Sequence, residues 1–192
     1  GLIRRQSGRG SIVLAPKVEQ PVNELASFSE DMRRRGLRPS YSAFSAESAL
    51  ARGEAAEALE IDDGAHAFHI RRLLLADDEP IGMSESWLAP WIFAAGREPT
   101  PEELDAGSLY EWLARVCGQK IFGARECIEA ALADAAMARR LDVAPGSALL
   151  VARRRSHAED RRPIEYAIMH YRADRYRFII ELAGNSPPQR TQ

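Results

Sequence analysis

One pattern occurs twice in this chain. Glu47-x-Ala49-Leu50-Ala51 is followed by Leu59-x-Ile61-x-x-Gly64, then Arg71-Arg72, then an acidic turn and Pro80-Ile81. The same order returns 82 positions later as Glu129-x-Ala131-Leu132-Ala133, Leu141-x-Val143-x-x-Gly146 and Arg153-Arg154, and resumes at Pro163-Ile164 after a one-residue insertion in the turn. Self-similarity of this kind means one supersecondary unit used twice. Two copies are too few for a solenoid. They suit a single domain with pseudo-twofold symmetry and a crevice between its halves, and that crevice is the first place to look for function.

The bulk numbers agree with one globular domain. The chain has 192 residues, 45% of them hydrophobic, enough to bury a core. No apolar run approaches the roughly 18 residues of a membrane span, and no apolar stretch of the signal-peptide kind stands at the N-terminus. A cytoplasmic protein is expected. The two cysteines, Cys117 and Cys127, are too few for a disulfide framework and lack zinc-site spacing; buried free thiols are expected. A net charge of −2 argues against polyanion binding by the chain as a whole. Residues 1–13 differ, carrying Arg4, Arg5 and Arg9 and no acid.

Residues 1–14 read as a basic β-hairpin, with Leu2-Ile3 and Ile12-Val13 flanking a Gly/Ser turn. An isolated hairpin is marginal alone, so the chain is expected to be part of something longer. Residues 15–26, with Pro16 and Pro21, read as a linker. The main domain is expected over 27–183 and a disordered tail over 184–192.

Helix starts are well marked within the main domain. Ser27-x-x-Glu30 and Ser108-x-x-Glu111 are capping boxes, Thr100-Pro101-Glu102-Glu103 sets a cap before a first-turn proline, and Asp134 caps a short helix ending near Leu141. A matching helix covers Glu54–Leu59 in the first copy. Strand-like runs lie between: Ser42–Leu50, His66–Leu75, Ile81–Leu88, Ile121–Leu132, Ala148–His157, Ile164–Tyr171 and Tyr176–Leu182. Each copy is then strand, short helix, strand, turn, strand. The class is α+β, with a mostly antiparallel sheet and flanking helices.

Catalytic signatures are sparse. Gly-x-Ser-x-Gly and His-Glu-x-x-His are absent, and Ser7-Gly8-Arg9-Gly10-Ser11 lacks the Lys-Ser/Thr of a P-loop. His66 and His69, three apart on a strand, point oppositely. No metal site and no cofactor are expected. Anion binding has better support. Arg71-Arg72 lies in an apolar strand, so alternation turns one of the two toward the core or the crevice, and a buried arginine needs an anionic partner. An internal salt bridge with Glu85 or Glu165 and a ligand contact are equally open. Arg153-Arg154-Arg155 reads as a solvated edge. Ser108 opens a helix, whose N–H groups and dipole suit a phosphate or carboxylate, with ordinary capping as the plain alternative. Ser29, Glu165 and Tyr171 are further polar candidates.

Several motifs in order resemble a known family. Ser27-Phe28-Ser29-Glu30-Asp31-Met32 and Arg35-Gly36, then Leu75–Ile81, Gly107–Glu111, Leu141-x-Val143-x-Pro145-Gly146-Ser147-x-Leu149-Leu150, Pro163-x-Glu165-Tyr166 and Tyr171–Phe178 resemble the UTRA effector domain of HutC-type GntR transcriptional regulators. The similarity spans about Ser27–Leu182. The opening hairpin resembles the wing that ends a GntR winged-helix DNA-binding domain, which implies phosphate or minor-groove contacts from Arg4, Arg5 and Arg9.

The resemblance implies a chorismate-lyase-like fold, a homodimer, operator DNA as a partner, and a small effector such as a phosphosugar, a phosphonate or a carboxylate. It implies that Arg72 and Ser108 grip the effector's anionic group, that Ser29 assists, and that Glu165 and Tyr171 read the rest. It implies a regulator, most simply a repressor, and no enzyme; the rival is a chorismate-lyase-type enzyme acting on a small carboxylate. Two departures stand out. Sugar-phosphate sensors of the family often carry Arg-x-Arg where this chain has Arg72-Leu73-Leu74. Many members read Glu-Thr/Ser-Ser before an aromatic where this chain reads Ser84-Glu85-Ser86-Trp87, so the acid has moved by one residue to Glu85, hence to the other strand face. Both point to a less charged ligand, with Glu85, Ser86 and Arg125 as further contact candidates.

Overall fold

A computed structural model describes residues 2–6, 10–14, 17–21, 25–94 and 96–182. β1 (Leu2–Gln6) and β2 (Gly10–Leu14) pair as the expected antiparallel hairpin. The hairpin turn with Arg9, residue 183 and the expected tail over 184–192 lie outside the described residues. β3 (Val18–Pro21), α1 (Phe28–Arg34), β4 (Pro39–Leu50), α2 (Glu54–Leu59), β5 (His66–Ala76) and β6 (Glu79–Leu88) follow, then a 3-10 turn over Pro90–Phe93. α3 (Pro101–Ala106), α4 (Leu109–Val116), β7 (Gly123–Leu132), α5 (Ala135–Leu141), β8 (Ala148–His157), β9 (Pro163–Arg172) and β10 (Tyr176–Ile179) complete the order.

The main sheet runs β4-β5-β6-β9-β8-β7, antiparallel throughout. The first copy of the repeat supplies β4, α2, β5 and β6, and the second supplies β7, α5, β8 and β9. They meet at the central pair, where Glu85 stands opposite Ile168, its own equivalent in the second copy. The pseudo-twofold axis passes through that pair.

Local chemistry sets the boundaries. Ser27 and Thr100 close full capping boxes with Glu30 and Glu103, and Asp134 caps α5 through the Met137 N–H. Ser108 accepts from the Glu111 N–H, but the Glu111 carboxylate turns away to Arg33 at 2.8 Å, so the expected box is half made. Asp77 and Asp78 both take positive φ, 50° and 66°, in the tight β5–β6 turn. Aspartate tolerates that region better than most residues.

One expectation is corrected outright. Within the stretch read as a linker, β3 pairs in parallel with β10. Val18 and Gln20 are buried, and Gln20 accepts a 2.5 Å hydrogen bond from the Tyr176 hydroxyl. The partner strand lies more than 150 residues away in sequence, so nothing local announces it.

The sheet has two differently used faces. α2 and α5 cover one, through Ala56 and Leu59 against Ala67 and Tyr166, and through Leu141 against Leu149. α1, α3 and α4 flank the other, where Met32, Leu104, Trp112 and Leu113 are buried. Cys117 joins that core, but Cys127 is exposed on β7, contrary to expectation, because β7 is an edge strand most of whose residues face solvent. Among the described residues no helix is long and apolar enough to cross a membrane.

Candidate functional site

The uncovered middle of the α1/α3/α4 face forms a cleft. Alternation sends Arg72 of β5, Ser84 and Ser86 of β6, Arg154 of β8, and Glu165, Ala167, Met169 and Tyr171 of β9 into it. Tyr41 of β4, Ser108 at the start of α4, and Tyr110 close it. The free volume is about 50 Å³. Metabolite pockets are typically ~300–1,000 Å³, so this one accommodates a small ionic group, and a whole metabolite requires its walls to part.

Arg72 is 6% exposed. Its Nη1 donates to the carbonyls of Leu104 at 3.4 Å and Gly107 at 3.3 Å, and the guanidinium lies 4.5 Å from the centre of the Tyr41 ring. Its Nε has no partner, and among the described residues no carboxylate comes within ion-pair reach. Neither proposed internal bridge, to Glu85 or to Glu165, forms. Burial pushes the guanidinium below its ordinary pKa, while Tyr41 and Glu165 pull the other way.

Arg154 is the equivalent of Arg72, 82 positions on. It is 5% exposed, which corrects the expected solvated edge. Unlike Arg72 it is neutralised: Glu126, directly across the β7–β8 pair, holds it at 3.1 Å, and its Nη1 donates to the Ala26 carbonyl at 3.3 Å. Burial opposes its charge, yet Tyr110 and Glu126 outweigh that and hold its pKa above the ordinary value. The first-copy position matching Glu126 is Phe44, which falls in the bulge between Ala43 and Ser45. The second copy therefore places an acid opposite its arginine, and the first does not.

Glu165 is 3% exposed. It accepts from the Tyr110 hydroxyl at 2.8 Å, and that hydroxyl also meets Ser156 at 3.2 Å. Burial raises the phenol pKa of Tyr110 and of Tyr171, which keeps both as donors. Tyr171 stacks on Tyr176 with centroids 3.9 Å apart. The buried Ser84 hydroxyl has no partner.

Of the candidates read from sequence, Arg72, Ser86, Ser108, Glu165 and Tyr171 converge on this cleft. Ser29 does not line it. It is fully buried behind Tyr41, with the two hydroxyls 2.6 Å apart. Glu85 and Arg125 are on the opposite face: Glu85 bonds His69 at 2.7 Å, and Arg125 lies on β7 beside a separate groove with Glu54 and Arg153. Arg4 and Arg5 belong to β1. Sequence reasoning missed Tyr41, Tyr110 and Arg154. For Arg154 a signal existed, since the 82-residue offset maps it onto Arg72. The others needed the packing.

Comparison with known proteins places this geometry. The UTRA domain family matches residues 34–177. The HTH-type transcriptional repressor NagR of Bacillus subtilis (strain 168) is 30% identical over 179 residues, covering 93% of this chain and 72% of the relative. The probable transcriptional regulator PhnF of Escherichia coli (strain K12) is 28% identical, covering 94% and 74%. The crystal structure of the effector domain of PhnF from Mycobacterium smegmatis matches with a TM-score of 0.76 at 25% identity, covering 87% of this chain and 100% of that one. The chain belongs to the UTRA domain family of GntR-type transcriptional regulators. It forms the ligand-sensing domain of such a regulator.

Proposed function

We propose that the cleft binds a small anionic metabolite and that its occupancy changes operator binding, most simply by releasing a repressor from DNA. The observation that carries this reading is the buried, unneutralised guanidinium of Arg72. An unpaired buried charge is costly unless something completes it, and its twin Arg154 shows the completed form. The anion sits against Arg72 and the Ser108 hydroxyl, at the N-terminus of α4, where free N–H groups and the helix dipole favour negative charge. Glu165, Ser84, Ser86 and Tyr171 read the donors and acceptors of the remainder. No bond of the ligand is made or broken.

Arg72 donates to Leu104 and Gly107, so an anion on it acts directly on the α3–α4 wall. Widening or closing that wall selects among arrangements of a homodimer and so resets the spacing of its DNA-binding domains. The basic hairpin with Arg4, Arg5 and Arg9 contributes phosphate contacts at the operator.

A thermal-shift screen against phosphosugars, phosphonates and small carboxylates tests the reading. One chemical class is expected to raise the melting temperature, with the rise lost in Arg72→Met. A ligand that stabilises both proteins equally refutes the assignment.

A further inference from the structure

A second cavity adjoins the cleft. It has a volume of about 290 Å³ and lies between the start of α1 and the exposed side of α4. Ser27 and Tyr110 line both it and the cleft, so these two residues form the partition. Tyr110, Glu111 and Ala114 share one face of α4 by their three- and four-residue spacing, and all three border the second cavity. The cleft alone, at about 50 Å³, holds little more than an ionic head. Opened into each other, the two cavities reach the ~300 Å³ at which metabolite pockets begin.

The partition is lightly held where it meets solvent. Arg33 of α1 and Glu111 of α4 close the gap at 2.8 Å, but both side chains are more than half exposed, and an ion pair so exposed holds little. Released from Arg33, the Glu111 carboxylate can complete the capping box with Ser108 that it leaves half made.

The polar groups of the second cavity are otherwise engaged. Glu30 accepts from the Ser27 N–H and from the Ser27 hydroxyl, both at 2.8 Å. What remains for a ligand is apolar: Leu25, 42% exposed, with Ala114, Ile121 and the Tyr110 ring. We infer that the effector is an anion with an apolar tail. Its head sits against Arg72 and Ser108, and the tail passes between Ser27 and Tyr110 into this groove, with any donor for Glu165 lying between the two. A phosphosugar, polar along its whole length, does not match such a groove. The tail rests on anion binding in the cleft and narrows the class of anion.

Titration calorimetry with two series, methyl- to hexylphosphonate and acetate to hexanoate, tests the tail. In at least one series the dissociation constant is expected to fall at least ~2-fold per methylene beyond the second carbon, against ~4-fold for full burial. Ala114→Trp fills the groove from a half-buried position on α4. It is expected to abolish that gain while the shortest member binds within ~2-fold of the parent, which also shows that the variant folds. Arg72→Met is expected to weaken every member. A flat series that still depends on Arg72 overturns the tail and leaves the anion site standing. A gain with chain length that survives Ala114→Trp puts the tail elsewhere and overturns it too. Tighter binding of glucose 6-phosphate than of any tailed member overturns the ligand class. Failure of every member to bind removes the anion site and the tail with it.

Discussion

Replacing Arg72 by methionine separates sensing from stability. The side chain contributes two long hydrogen bonds to carbonyls and a contact with the Tyr41 ring. At best these supply about 0.5–1.5 kcal/mol per bond and about 0.5–2 kcal/mol for the ring contact. Against them stands the cost of burying an unpaired cation, several kcal/mol even after relaxation. The two nearly cancel, so Arg72→Met is expected to change folding stability by no more than about 1 kcal/mol in either direction. Its effect on an anionic ligand is larger. Truncating one partner of a buried charge pair costs about 2–5 kcal/mol, a ~30- to 3,000-fold loss of affinity at 1.4 kcal/mol per decade. Ligand at ~100 times its dissociation constant stabilises the native protein by about 2.7 kcal/mol, a rise of roughly 5–10 °C for a domain of this size. At the same concentration the variant gains at most about 0.9 kcal/mol, a rise of no more than roughly 4 °C. Differential scanning calorimetry with and without ligand reads both quantities. A loss of about 3 kcal/mol or more in Arg72→Met, equal with and without ligand, would show that Arg72 is a strut between β5 and the α3–α4 turn, and the cancellation argued above would be wrong.

The same substitution at the twin position has the opposite outcome. Arg154→Met leaves Glu126 unpaired, its side chain only 15% exposed, so chemical denaturation should show a loss of about 3–5 kcal/mol; a neutral result would mean the pair is not buried in solution. Gly82→Ala puts a methyl group 2.7 Å from the His170 carbonyl and 2.8 Å from the Tyr171 ring on the adjacent central strand. Overpacking of this kind typically costs about 1–3 kcal/mol, and it should be accompanied by loss of the Tyr171–Tyr176 stack in near-ultraviolet circular dichroism. Glu85 gives a signal on the acid side. The hydrogen bond from His69 holds its carboxyl below the ordinary value of 4.5. A depressed acid stabilises the fold above that value and loses the contribution as pH falls through the lowered one. The melting temperature should therefore fall more steeply below about pH 4.5 in the native protein than in Glu85→Gln, by a small amount because the carboxylate is half exposed and screened. Parallel curves would mean that the pair forms in neither state or equally in both.

Whatever depended on short-range chemistry was legible in the sequence. The caps at Ser27, Thr100 and Asp134, the strand runs, and the repeat itself are readable because each signal lies within a few residues or repeats at fixed offset. The placement of Glu85 was readable too, since Ser84 and Ser86 of the same strand point into the cleft and an odd neighbour cannot. Arg125 was not, because its surroundings depend on β7 being an edge strand. Ser29 belongs to the right helix but lies behind Tyr41, and the order of those two layers is set by the packing of α1 on β4. β3 depends on a partner near the other end of the chain, and the burial of Arg154 depends on Glu126 and Ala26, neither near it in sequence. The bulge at Phe44 had no signal in the sequence.

Duplication explains why the site is built this way. A symmetric scaffold offers two equivalent arginines facing one crevice, and two equivalent arginines would suit a symmetric dianion. This chain has broken that symmetry at matched positions. Glu126 faces Arg154 while its counterpart Phe44 has dropped into a bulge, and Glu165 stands where the first copy has Gly82. One half thus retains a free positive charge, and the other brings a neutralised arginine and a buried carboxylate that accepts from Tyr110. A ligand that completes both halves carries an anionic group at one end and hydrogen-bond donors at the other. Arg72 is left without an ion-pair partner because the position matching Glu126 is Phe44; the bulge there also interrupts the outer edge of β4, while β7 keeps a regular register with β8. The charge difference is testable on its own: Ala43→Glu sets an acid directly opposite Arg72, as Glu126 stands opposite Arg154, and should weaken anion binding in a ligand titration.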